Sequence, residues 1–219
     1  MVASRRTIYP EVSRQAFLKN ISWGTYQRLL AEKQEQAGIR LYYDNGTLEI
    51  KMPSAEHEEP NRTLAHLIEL LAEEMNLDLR RLGSTTFSRE DLSKGFEPDS
   101  CFYIQNAPAI QGRKKLDLKI DPPPDIVIEV DITSDSLAKS PIFAGLGVPE
   151  VWRFDNVMVT IHKLEEAGYA KADHSLAFPR LTSEIATQFL EESETMRTPD
   201  WSRRVREWIR SQSTSQSHP

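Results

Sequence analysis

The stretch DPPPDIVIEVDI, from Asp121 to Ile132, restricts this chain more than any other. Three successive prolines fix φ and remove backbone donors, which rules out a helix. The β-branched run behind them is the most apolar strand in the sequence. Side chains alternate along a strand, so Asp125, Val127, Glu129 and Asp131 share one face while Ile126, Ile128 and Val130 share the other. Three carboxylates therefore lie on one side. A half-buried strand turned toward water has the same pattern, so the rest of the chain must say which it is.

The segment EPDSCFYI supplies a second acidic face, with Glu97, Asp99, Cys101 and Tyr103 in one parity. If the two strands are neighbours, Asp99 and Glu129 converge. Two carboxylates, a substrate phosphate and waters make a usual Mg²⁺ site. A metal so held polarises a phosphoryl oxygen and acidifies a bound water. Parity alone ranks neither Asp99 above Glu97 nor Glu129 above Asp125. Lys139, early in the segment after the acidic strand, has a flexible stem that can return its ammonium over the sheet end. His57 faces inward by its spacing from Asn61, Leu64 and Ile68.

Around these segments the elements read as follows. Ser22 opens a helix, SWGTYQRLLAEKQEQ, that Gly38 closes, with Tyr26, Leu29 and Leu30 on its apolar stripe. IRLYY and TLEIKM flank Asp44-Asn45-Gly46, whose Asn-Gly step supplies the positive φ angles of a tight hairpin. Leu48, Ile50 and Met52 then share a face. A long helix follows Pro53-Ser54 with Pro60 in its first turn, where a missing N–H is tolerated. Short strands are expected in LDLRRL and STTFSR, and a short helix from Ser136 to Leu146, bent at Pro141. EVWRFD and VMVTIHKL form a second hairpin, GYAKA a further strand, and two C-terminal helices precede the tail SQSTSQSHP, whose composition predicts disorder. The order implies an α/β class of α+β type, with one mixed β-sheet flanked by helices. Residues up to about Asn20 show no period. The chain divides into an extension (1–20), a domain (21–195) and a C-terminal helix with its tail (196–219).

Composition removes several classes. A formal net charge of −6 argues against a protein that coats nucleic acid through excess Lys and Arg, although Arg80-Arg81, Arg113-Lys114-Lys115 and Arg203-Arg204-Val205-Arg206 can line a substrate path. The longest apolar runs fall far short of the ~20 residues that cross a bilayer, and MVASRRTIYP lacks a signal core, so no membrane partner and a cytoplasmic location are expected. Cys101, the lone cysteine, cannot form an intrachain disulfide. No GxGxxG or GxxxxGK[ST] loop and no GxSxG elbow is present. His66, His162 and His174 lack zinc-ligand spacing, and the four tryptophans read as core or docking residues.

From Ser22 to Val159 the sequence resembles a large bacterial family of restriction-endonuclease-like proteins built on the PD-(D/E)XK nuclease fold. The resemblance rests on the Asn45-Gly46 hairpin, PSAEHE, EPDSCFYI, PPPDIVIEVDITS, Lys139 and GVPEVWRFD together. It implies that Asp99 and Glu129 hold the metal, for which Mg²⁺ with Mn²⁺ as a substitute is expected; Asp131, on the same strand face as Glu129, is our own candidate for a further ligand. The resemblance also implies that Lys139 is the catalytic lysine and that His57 belongs to the same site. The expected activity is endonucleolytic cleavage of DNA, with a non-catalytic module binding nucleic acid or a protein as the alternative. Cutting a duplex would suit a homodimer, which no residue specifies. Two positions depart from the pattern. Asp131 stands where the general motif has lysine, and Tyr42 where many relatives carry Glu.

Overall fold

The computed structural model describes residues 14–33, 38–131 and 139–214. In chain order the elements are β1 (Arg14–Leu18), α1 (Trp23–Lys33), β2 (Arg40–Asp44), β3 (Thr47–Met52), α2 (Ala55–Glu74), β4 (Arg80–Arg81), β5 (Phe87–Arg89), β6 (Lys94–Phe96), β7 (Ser100–Tyr103), β8 (Ile126–Val130), α3 (Ser140–Gly145), β9 (Glu150–Phe154), β10 (Val159–Glu165), β11 (Gly168–Lys171), α4 (Ser183–Thr195) and α5 (Thr198–Thr214). None of the described helices is long and apolar enough to cross a membrane.

The strands form two sheets where one was expected. The first, β1-β3-β2-β6-β5, is antiparallel throughout. The second, β11-β10-β9-β8-β7-β4, is mixed, because β8 and β9 run parallel while its other pairs are antiparallel. A parallel pair needs a crossover, and this one carries Lys139 and α3.

Three apolar clusters set the layers. On one face of the second sheet, Ile126, Ile128 and Val130 of β8 pack with Trp152 and Phe154 against α2, α4 and α5. On the other face, Cys101, Tyr103, Val127 and Val151 meet Tyr42, Phe87 and Phe96 of the first sheet, with Ile142 and Phe143 of α3. Tyr26 of α1 covers the outer side of the first sheet over Leu41, Tyr43 and Leu48. Gly95 in β6 permits that cover, since a Cβ there would collide with the Tyr26 ring. Full burial of each large apolar side chain contributes about 1.5–3 kcal/mol, so the two sheets and three helical layers hold one another.

Local signals decide many boundaries. Asn45 (φ 44°) and Gly46 (φ 87°) make the turn of the β2–β3 hairpin, as a type I′ turn requires. The Ser22 hydroxyl accepts from the Thr25 N–H at 3.2 Å, capping α1, which the structure follows to Lys33; residues 34–37 lie outside the described ones. Helix α2 begins at Ala55, so Pro60 falls in the second turn instead of the first. The stretch before Asn20 contains β1, an edge strand paired along β3. It shows no alternation because Phe17 and Leu18 are both exposed. Strand β6 is too short for a period to show. LDLRRL and STTFSR contribute only β4 and β5. Of the helix expected from Ser136, α3 covers Ser140–Gly145, and 132–138 lie outside the described residues. The tail begins as helix, since α5 runs to Thr214; residues 215–219 are not described.

Candidate active site

The candidate site lies between the two sheets. Strands β7 and β8 pair antiparallel with Ser100 opposite Ile128. Asp99, just before β7, and Glu129 therefore emerge side by side on the face turned toward the first sheet. From above, the inward face of the β2–β3 hairpin brings Tyr42, Glu49 and Lys51, with Tyr42 directly across from Glu49. His57 comes from the first turn of α2, and Lys139 immediately precedes α3. All are buried: Glu129 and His57 are 0% exposed, Lys139 1%, Lys51 2%, Asp99 3%, Asp131 4% and Glu49 5%.

Charge organises the cluster. Lys139 Nζ lies 3.0 Å from Glu129 Oε2, 3.6 Å from Glu49 Oε1 and 3.8 Å from Asp131 Oδ1, and sits 4.1 Å over the Tyr42 ring. Lys51 Nζ is 3.3 Å from Asp99 Oδ2, 3.7 Å from Asp131 Oδ1 and 3.8 Å from Glu129 Oε2. It also donates to the Val130 carbonyl at 2.8 Å. The Tyr42 hydroxyl bridges both Glu129 oxygens at 2.9 and 3.1 Å. Arg153 Nε reaches Asp131 Oδ2 at 3.2 Å, and Gln15 donates to Glu49 at 2.8 Å. The Val130 N–H donates to Asp99 Oδ2 at 2.9 Å, and His57 Nε2 lies 3.2 Å from the same oxygen.

These surroundings move the proton affinities apart. Burial pushes the Glu129 carboxyl above its ordinary range; Asp99 and Asp131 add to the shift while Lys139 and Lys51 oppose it. Burial acts on Asp99 in the same sense, but Lys51, His57, Lys139 and the Val130 N–H outweigh it and hold that carboxyl below its usual range. Burial would lower Lys139, yet the surrounding carboxylates, Glu129 foremost, raise it and keep it charged. Burial, assisted by Lys51, lowers His57 against the pull of Asp99, which leaves the imidazole neutral near neutral pH.

The structure separates the paired candidates that parity left equal. Glu97 is engaged by Lys33 at 2.6 Å, the Leu41 N–H at 2.8 Å and Thr86 at 2.7 Å, a tie between α1, β2 and the approach to β5. Asp125 accepts from the Ile104 and Asn106 N–H groups at 2.7 and 2.9 Å, fixing a loop. Asp99 and Glu129 instead join Asp131, Lys139 and His57 at one point. Two members, Glu49 and Lys51, were not anticipated. The alternation that put Leu48, Ile50 and Met52 on one face put these two on the other. The basic clusters lie elsewhere: Arg81 pairs with Glu69 at 3.3 Å, Arg113 with Asp121 at 3.5 Å and Arg206 with Glu74 at 2.8 Å.

The donor set suits a hard divalent cation. Glu49, Asp99, Glu129 and Asp131 face two lysines and Arg153, so negative charge is in excess. Among the described residues, Asp99 Oδ1 and Asp131 Oδ1 are buried without a hydrogen-bond partner, as are both ring nitrogens of His57. Among the described residues no three His, Cys, Asp or Glu side chains gather into a ready cage. Mg²⁺ does not need one, since one or two carboxylates with waters and substrate phosphate suffice.

No curated protein matches the chain. Among solved structures, it is similar to a "putative nuclease belonging to DUF820" from Anabaena variabilis ATCC 29413, with 17% identity over 68% of this chain and 90% of that one, at a TM-score of 0.47. The model of the Uma2 family, described as "Putative restriction endonuclease", matches residues 23–197, and the chain belongs to that family.

Proposed function

We propose that this protein is a Mg²⁺-dependent endonuclease that hydrolyses phosphodiester bonds of DNA. The observation that carries the reading is the meeting of Asp99 and Glu129, from adjacent antiparallel strands, with Lys139 in a buried cluster where one oxygen each of Asp99 and Asp131 has no hydrogen-bond partner among the described residues. Asp99, Glu129 and Asp131 would hold the metal, which when bound supplies a polarised phosphoryl oxygen and an acidified water. In the reaction a water oxygen bonds to phosphorus, the P–O bond opposite breaks, and the departing oxygen takes a proton. Lys139, held charged by Glu129, offsets the negative charge that grows on the phosphate. Tyr42 fixes the Glu129 carboxyl through both oxygens, and neutral His57 is able to accept a proton at a ring nitrogen.

Purified protein incubated with plasmid DNA and Mg²⁺ tests the reading. Cleavage is expected, with loss of at least 10²-fold in both Asp99→Asn and Glu129→Gln, in line with the size of electrostatic and acid–base contributions. Cutting that persists in both variants assigns the activity to another site or a contaminant.

Lys51 favours a second reading, a nuclease-fold module that binds nucleic acid or a protein without turnover, because its ammonium already lies among the three acids. Calorimetry discriminates. A Mn²⁺ heat that disappears in Glu129→Ala supports the enzyme. No metal heat, together with DNA bound but uncut, supports the module.

A further inference from the structure

A cavity of about 260 Å³ opens beside the cluster, lined by Ser140, Arg153, His162, Tyr169 and Lys171 over a floor of Val151 and Phe143. Its walls follow from register. Val151 is opposite His162 and His162 opposite Lys171, so all three project from the same face of β9, β10 and β11. Glu129 is opposite Arg153 on that face too. The cavity thus begins where Arg153 meets Asp131, passes His162 and ends at Lys171 on β11, the edge strand of the second sheet.

Its charge is basic. Arg153 has the carboxylate of Asp131 at 3.2 Å, and Asp155 acts on it from the strand end. Farther out, Lys171 is exposed and makes no ion pair among the described residues. Lys163 and Glu165, paired at 3.3 Å, occupy the alternate positions of β10 and so lie on the opposite face. Burial, then the Arg153 and Lys171 cations, hold the His162 imidazole below its ordinary range. Adjacent strands are ~4.8 Å apart and each residue rises ~3.3 Å, so Arg153, two residues along β9 from the Val151 that lines up with His162 and Lys171, lies roughly 12 Å from Lys171. A single nucleic-acid strand carries one charge per ~3.4 Å.

We infer that this cavity is a phosphate-backbone site, in which His162, Lys171 and the Ser140 hydroxyl hold the strand leading from the scissile bond to the edge of the sheet. The inference rests on the proposal that the neighbouring cluster acts on DNA, and it assigns to Lys171 and His162 positioning through phosphate contacts without base readout. Arg153 marks its inner end.

Fluorescence anisotropy with a short fluorescein-labelled DNA duplex, in EDTA over a series of salt concentrations, tests it on the full chain. Lys171→Gln is expected to weaken binding several-fold at low salt, equally for unrelated sequences. It should also reduce the slope of log K against log salt by about 1. Lys171→Arg should retain the wild-type slope, and His162→Gln should weaken binding as well. Plasmid cleavage run in parallel separates the two claims. Glu129-dependent cutting with unchanged affinity and slope in Lys171→Gln overturns the cavity site and leaves the nuclease reading standing. Lys171-dependent binding without any cutting does the reverse. Absence of measurable DNA binding by the wild-type chain also overturns the cavity site.

Discussion

Lys51 of β3 sits where the acids of β8 and of the residues flanking β7 and β8 come closest, 3.3 to 3.8 Å from Asp99, Asp131 and Glu129. A buried ammonium there performs part of the electrostatic work of a metal ion, compensating carboxylates that would otherwise repel one another. Replacing it by a similar apolar volume leaves those charges uncompensated. Lys51→Met is therefore expected to lose on the order of 3 kcal/mol of stability in EDTA, the cost of breaking a buried pair from one side. Millimolar Mn²⁺ should restore more stability to the variant than it adds to the wild type, because ligand binding to the folded state stabilises in proportion to its tightness. Urea denaturation with and without metal measures both, and equal stability of the two proteins in EDTA would remove Lys51 from the charge balance. At this scale the sequence was informative where two independent patterns agreed. Strand parity and helix spacing admitted Asp99, Glu129, Asp131, Lys139 and His57 alongside Glu97 and Asp125. The family resemblance ranked Asp99 and Glu129 above those two, and the structure brings the first five within one cluster. Glu49 and Lys51 escaped because Leu48, Ile50 and Met52 made the opposite face look like the inward one. In the fold Met52 is 40% exposed and Lys51 2%, since a strand between α1 and a second sheet is buried on both sides.

Elements were legible in proportion to the chemistry of their ends. Asn45-Gly46 fixed a hairpin, Ser22 capped a helix, and the apolar strand β8 stood out from its prolines. Strands β1 and β6 carried no such marks, being an exposed edge and a three-residue strand that pairs with its neighbour β5 and, over two residues, with the distant β2. Helices α2 and α5 show how two readable elements acquire an unreadable tie. Glu74, at the end of α2, accepts from Arg206 at 2.8 Å and from Arg210 at 2.7 and 2.9 Å. These hydrogen bonds, Arg210 first, lower its carboxyl from 4.5 to about 2. A depressed carboxyl contributes stability that is complete above the unfolded value and disappears as pH falls through the folded one. The tie should thus weaken between about pH 4.5 and pH 2. Because Arg206 is half-buried and Arg210 exposed, the tie is weak and falls with salt. Glu74→Gln, compared with wild type by thermal melting across that range, should lie below it near neutrality and converge with it at the acid end. Parallel curves would mean that Glu74 does not titrate against α5.

For the molecule as a whole, the division of strands between two sheets could not be read from local patterns. A strand shows its period in sequence but not its neighbours, and β6 joins β2 where β7 joins β8 only because of contacts formed at long range. What unites the sheets is the cluster between them, where Tyr42, Phe87 and Phe96 from one meet Cys101, Tyr103 and Val127 from the other. The candidate-site residues lie within the same layer, so their geometry exists only while both sheets are closed. Cys101 reports on that closure. It is the chain's only cysteine, it is 0% exposed, and burial pushes its thiol up, which suppresses the reactive thiolate. If the two sheets form one cooperative unit, a disulfide reagent such as Ellman's should label one thiol per chain only through global unfolding. The labelling rate should then rise with urea along the slope of the full unfolding transition. If the first sheet opens by itself, labelling below the transition will be fast and nearly independent of urea, and the layer that builds the candidate site will have to be treated as a separate, less stable unit.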